Sequence, residues 1–190
     1  NQIEIYEKRK FGGDPNYSDR GAYIMANIAP PGADPQVIYE LYRKKGLLEE
    51  KELLWSEDLI TLEQYASPKP LPQELLSKAM NWINDRVFKH DYLPKTNGQI
   101  TPETMKEALK RSSLAVAVYA WAFNGNEYVR LGNDTHWTTI FGFKDGEYWK
   151  CFDSYSPFVK KLDWNFGFKV AKRIYLRKKT EEEKCFSKKQ

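Results

Sequence analysis

Two histidines and two cysteines, His90, His136, Cys151 and Cys185, are all this 190-residue chain offers of the side chains best suited to nucleophilic catalysis. The pair whose placement suggests chemistry is His136 with Asp153. His136 opens a β-prone run through Trp137 to Phe143, and Asp153 closes the next run from Tyr148. Lys144-Asp145-Gly146 stands between them as a tight-turn signal. Antiparallel pairing of the two runs brings His136 and Asp153 to the same end of the hairpin, within reach of each other. A carboxylate on one imidazole nitrogen fixes the tautomer and stabilises the imidazolium. The other nitrogen is then left to move a proton on a nucleophile. Any hairpin juxtaposes its ends, so a surface His beside a turn Asp is the competing reading.

The nucleophile is missing from that picture. Cys151 lies two residues before Asp153 on one strand and leaves the same face, so it reads as a small buried hydrophobe. Cys185, within Glu181-Glu182-Glu183-Lys184-Cys185-Phe186, reads as an unremarkable free thiol. Ser112 and Ser154 lack a flanking motif. His90, before Asp91, is expected at the end of a long helix, complementing its dipole. With the two His far apart and no Cys pair at ligand spacing, no zinc site and no cofactor are expected.

The elements that must position these groups fall in a clear order. Ile3 to Lys10 reads as the last turns of a helix, stopped by Gly12-Gly13-Asp14-Pro15. Ser18 opens a short helix to about Asn27. Asp34 caps and Pro35 starts another, with Val37, Ile38, Leu41 and Tyr42 on one face and Gly46 as terminator. Ser67 to Pro72 is an extended, proline-rich connector. The apolar spacing then predicts a long helix from Gln73 to about Tyr92, and Thr101-Pro102 opens a second ending near Leu109. Leu114 to Trp121, Trp137 to Phe143, Tyr148 to Asp153 and Phe168 to Arg177 read as strands. Helices followed by an antiparallel sheet make an α+β fold. The expected divisions are 1–72, a helical lobe with its connector; 73–177, helices leading into a β-lobe that carries the His and Asp; and 178–190, a charged, frayed tail.

Composition narrows the function classes. Aromatics make up 15% of the chain, enough for a sizeable core, so wholesale disorder is excluded. A net charge of +4 is too mild to argue for nucleic acid, and no apolar run is long enough for a membrane span. The two cysteines and the lack of a visible signal lean toward a cytoplasmic setting, while Asn16 and Asn133 head sequons too short to decide secretion.

Taken in order, several segments resemble the papain-like cysteine peptidases. Ile3 to Lys10 resembles the back half of the central helix whose front end carries the family's catalytic Cys. Tyr17-Ser18-Asp19 is similar to the Tyr-Ser-Glu after that helix, and Gly32-Ala33-Asp34-Pro35 leading to Gly46-Leu47 resembles the Gly-Gly-x-Pro segment and its helix. Ala108-Leu109 with Leu114 to Val118 resembles the entry into the β-lobe. His136 with Gly142-Phe143 resembles the catalytic His and its Gly-Tyr, and Asp153-Ser154-Tyr155 stands where the family has Asn-Ser-Trp. The resemblance implies peptide-bond hydrolysis on a protein or peptide substrate, a hydrolase of the thiol protease class. His136 would be the base and then the acid, and Asp153 would orient it. Gly32 would present backbone groups to an extended substrate, Ala117 and Thr135 would wall the side-chain pocket, and Tyr155 would shield the His–Asp contact. It also places the Cys and the oxyanion-hole Gln ahead of Asn1, the Cys by roughly half a dozen residues.

Asp for Asn and Tyr for Trp are departures from the family pattern, as is the absence of its disulfide cysteines. The alternative is a catalytically inactive papain-like module that binds or builds within a larger assembly, partnered by the upstream segment or another chain. A transglutaminase-like Cys-His-Asp enzyme shares the strand-His, strand-Asp hairpin. Nucleic-acid binding would rest only on the basic tail.

Overall fold

The computed structural model describes residues 1–28, 33–59 and 61–187. The first half runs α1 (Gln2–Phe11), α2 (Asp19–Ala26), α3 (Pro35–Lys45), a 3-10 turn at Glu50–Glu52, α4 (Leu62–Tyr65) and α5 (Gln73–Asn84). Then come β1 (Arg86–Tyr92), α6 (Pro102–Leu109), β2 (Leu114–Val118), β3 (Ala122–Phe123) and β4 (Tyr128–Val129). The chain continues with β5 (His136–Lys144), β6 (Tyr148–Phe152), β7 (Val159–Asp163), β8 (Ala171–Lys178) and α7 (Glu181–Ser187). The class is α+β. The eight strands form a mostly antiparallel sheet in the order β1-β8-β2-β5-β6-β7-β4-β3, with β4 and β7 parallel.

The residues divide into two compact units, Asn1–Gly12 with His90–Tyr175, and Gly13–Lys89 with Leu176–Gln190. In the first, β2 is buried at all five positions, as its unbroken apolar run requires for a strand flanked by β5 and β8. Its core gathers Met105, Leu109, Val116, Ile140, Trp149 and Phe168. Trp149 stacks on Trp164 with centroids 4.3 Å apart. Helix α1 is tied to this sheet by a buried amide. Gln2 Nε2 donates to the carbonyls of Ser113 (2.6 Å) and Lys172 (3.0 Å), and Ser113 Oγ donates to Gln2 O (2.9 Å). The guanidinium of Arg9 also donates to the Phe141 carbonyl.

In the second unit Ser18 Oγ caps α2 by accepting from Gly21 N, and Asp34 caps α3. Gly46 ends α3 with φ +76°, where a Cβ would stand 2.0 Å from the Ala79 carbonyl oxygen of α5. Only glycine permits that approach. Ile24, Met25, Leu48, Leu71 and Ala79 form the core here.

Four local expectations need correction. The helix expected over 73–92 ends at Asn84, and Arg86–Tyr92 is strand β1. Phe88 explains the change, because it is buried edge-on against Trp82 and Tyr39. His90 therefore lies in a strand and not at a helix end, which removes its dipole role. On α3 the buried residue is Tyr39, while Val37 is exposed. The tail forms α7, opened by a Thr180/Glu183 capping box whose Glu183 also pairs with Arg177.

Candidate active site

Strands β5 and β6 pair antiparallel around the Lys144–Glu147 turn, with a bulge between Ile140 and Gly142. Along β5, His136 and Thr138 leave one face of the sheet; Cys151 of β6 and the residue two beyond it, Asp153, leave that same face. With Thr139 opposite Phe152, two diagonal contacts result. Thr138 Oγ1 lies 2.8 Å from Cys151 Sγ, and His136 Nε2 lies 2.6 Å from Asp153 Oδ1. The hairpin thus brings together the two groups its sequence suggested.

Asp153 is held from several sides. Its N–H donates to Phe158 O at 2.8 Å, and its second oxygen, Oδ2, accepts from Lys160 Nζ at 2.9 Å. Burial pushes this carboxyl upward, but the hydrogen bonds and charges of His136 and Lys160 outweigh it and hold the group below its ordinary value. Asp153 is therefore an anion at neutral pH, so the Nε2 facing it carries the imidazole proton. Nδ1 makes no hydrogen bond to the described residues.

Around His136 the surroundings are aromatic. The Tyr155 ring covers it at 5.0 Å and 37°, and Trp121 meets it edge-on at 5.9 Å. Tyr128 extends the wall, 5.6 Å from Trp121, and Phe123 continues it 5.0 Å further on. The imidazole is partly exposed, so a reactant can reach it while bulk water is largely held off.

The remaining residues singled out from sequence are placed as follows. Thr135 is exposed; its N–H donates to Val118 O, and its hydroxyl accepts from the Ala120 N–H, so it fastens the end of β2 next to His136. Ala117 is buried in β2 opposite Trp137, its N–H donating to Val170 O. Tyr155 is exposed and lies against the imidazole. Gly32 lies outside the described residues. Cys151 is fully buried, and burial raises its thiol to about 12 despite the Thr138 contact, so it supplies no thiolate.

Lys160 escaped notice at the level of sequence, as did Trp121 and Tyr128. The signal lay in Val159-Lys160-Lys161-Leu162, where period-two alternation puts Lys160 on the same face as the buried Leu162. A lysine on a core-facing position requires an anion, and Asp153 is that anion. Among the described residues no group of three or more His, Cys, Asp or Glu is placed to hold a metal ion.

Neither a family model nor a curated protein matches this sequence. Among solved structures the fold is similar to that of a digestive procathepsin L 3 from the larval midgut of Tenebrio molitor, with a TM-score of 0.65 and 11% identity. The match covers 90% of this chain but 59% of that one, so this chain spans under two thirds of its length. At that identity the likeness is one of fold, that of a cathepsin L precursor.

Proposed function

We propose that these residues form the His/Asp-bearing part of a papain-like cysteine peptidase that hydrolyses peptide bonds with a thiolate supplied by the segment preceding Asn1 in the parent polypeptide. One observation carries the reading: Asp153 engages His136 through Nε2 at 2.6 Å, which leaves Nδ1 without a partner among the described residues. The fold of a cathepsin L precursor supports it.

In that chemistry Nδ1 takes the thiol proton, and the thiolate adds to the substrate carbonyl carbon. The imidazolium, held by Asp153, then gives its proton to the leaving amine as the C–N bond breaks. Water, deprotonated by the same Nδ1, attacks the thioester, and the carboxylic acid and thiol are released. Tyr155 keeps solvent from the His136–Asp153 hydrogen bond by covering the ring. Gly32, Ala117 and Thr135 belong to the binding side of this proposal.

The test uses the polypeptide extended through the codons ahead of Asn1 and assayed on a quenched, unfolded protein substrate. Expected is cleavage that iodoacetamide abolishes and that His136→Ala lowers by about 10²–10⁴-fold, the range for loss of a general acid–base. Absence of a cysteine from that segment, or cleavage that His136→Ala leaves intact, overturns the proposal.

A further inference from the structure

We propose that Lys160 is a positioning residue of this site: its ammonium cancels the charge of Asp153, so the carboxylate orients His136 as a neutral acceptor would, without locking the imidazole in its protonated form. The inference rests on reading His136 as the base.

Lys160 is placed for this task and for little else. Its side chain is 1% exposed, although lysine is among the residues least often buried. Its ammonium has three protons and three oxygen acceptors: Asp153 Oδ2 at 2.9 Å, Pro157 O at 2.7 Å and Tyr155 O. No donor remains for a substrate, so Lys160 is not a binding cation. The Trp121 and Tyr128 rings, 5.2 and 5.7 Å from Nζ, close the remaining sides. The lysine also ties the Tyr155 and Pro157 carbonyls to the carboxylate, which fixes the loop whose Tyr155 covers the imidazole.

The consequence for His136 is electrostatic. A lone carboxylate 2.6 Å from Nε2 would favour the imidazolium strongly, and such an imidazolium gives up its proton reluctantly. Acid–base work needs the opposite, a group that exchanges its proton readily near the working pH. Pairing Oδ2 with an ammonium leaves Oδ1 as an acceptor while the Asp153–Lys160 pair carries no net charge. Where the resembled family has Asn, this chain has Asp, and the pair restores the charge an amide would have. Other groups face the site without removing the effect. Cys151 of β6 is held neutral by burial. Asp134, two residues before His136, is paired with Arg130. The phenols of Tyr155 and of Tyr128 on β4 complete the surroundings.

The experiment is a ¹⁵N NMR titration of the His136 ring in chain 1–190, its signals told from those of His90 with His90→Gln. Lys160→Met is expected to raise the His136 pKa by about one unit or more, the effect of removing one charge a few ångströms beyond the carboxylate. A buried carboxylate stripped of its cation can unfold the protein, so the comparison is repeated on Asp153→Asn, where adding Lys160→Met again raises the His136 pKa. A His136 pKa that stays put or falls when Lys160 is removed, in whichever background is folded, overturns the proposal. The titration needs no turnover. A chain without peptidase activity can still show the shift, and an active peptidase whose His136 ignores Lys160 refutes this inference alone.

Discussion

Replacing Asp153 by Ala strips the anion from a lysine that has almost no contact with water, and the cost follows from the geometry. At 2.9 Å between Nζ and Oδ2, the attraction is about 6 kcal/mol at an effective dielectric constant of about 20. Desolvation of the two ions offsets most of that gain, so the intact pair contributes little net stability. Removing one partner is a different matter, because the desolvation of the other stays unopposed; such changes cost about 3–5 kcal/mol. Lys160 would retain the Tyr155 and Pro157 carbonyls, which places Asp153→Ala near the lower bound, about 3 kcal/mol. The double variant Asp153→Asn/Lys160→Met removes both charges and should lie within about 1 kcal/mol of the native chain. Urea unfolding followed by circular dichroism, with all three proteins at pH 7, reads these values. Acid adds a second arm. The Asp153 carboxyl is held below its ordinary value, so its stabilisation is complete above the unfolded pKa of about 3.9 and is lost as pH falls through the lower folded value. The native chain should therefore lose stability below about pH 4 more steeply than the double variant. An Asp153→Ala cost under about 1 kcal/mol would refute the reasoning, since the lysine would then have found water or another anion.

Further outcomes follow from single contacts. In a Cys185→Ser background, iodoacetamide at pH 8 should leave native Cys151 unlabelled and alkylate it only in denaturant, as mass spectrometry would report; labelling of the folded protein contradicts its burial and its raised pKa. Gly46→Ala drives a Cβ onto the Ala79 carbonyl and should cost about 2 kcal/mol or more, whereas Gly12→Ala, with the same positive φ but open space, should cost about 1. Equal midpoint shifts for the two in urea would show that φ alone matters. Gln2→Ala removes the amide that bridges the Ser113 and Lys172 carbonyls, while Ser113 O keeps the Ser112 hydroxyl as a donor, and should lower stability by about 1–2 kcal/mol; an unchanged midpoint would mean that α1 is not anchored through its amide.

Much of the fold was legible where one local rule dominates. The caps Ser18, Asp34 and Thr101 open the helices they were expected to open, and Gly46 and Gly12 end theirs. Strands β2, β5, β6 and β8 lie within or close to their β-prone runs, because alternation or continuous apolarity ran longer than any helical pattern. The failures share a cause. The helix expected past Asn84 was extrapolated from apolar spacing, while Phe88 was claimed by the aromatic cluster of Tyr39 and Trp82, a tertiary demand that overrides a local period. β3, β4 and β7 are short edge or near-edge strands with mixed patterns, and Glu181–Ser187 looked like a charge run until Thr180 and Glu183 were read as a capping box.

The candidate site divides along the same line. His136 and Asp153 were legible because a hairpin converts a sequence separation of 17 into a contact by local rules alone, and the Lys144–Gly146 turn set that register. Lys160 was not, although it is closer to Asp153 in sequence. Its place depends on β7 pairing back onto β6, with Phe152 opposite Val159 and Cys151 opposite Lys160. Asp153 could have pointed to it. A carboxylate set in an aromatic, water-poor corner must either take up a proton or find a cation, and a protonated acid would no longer be a pure acceptor for the imidazole N–H. The chain therefore needed a basic residue within one strand of Asp153, and of Lys160 and Lys161 only the first shares a face with Leu162. Reading charges as demands on the fold, and not as decoration of its surface, is the step by which the third member of this site becomes predictable from the second.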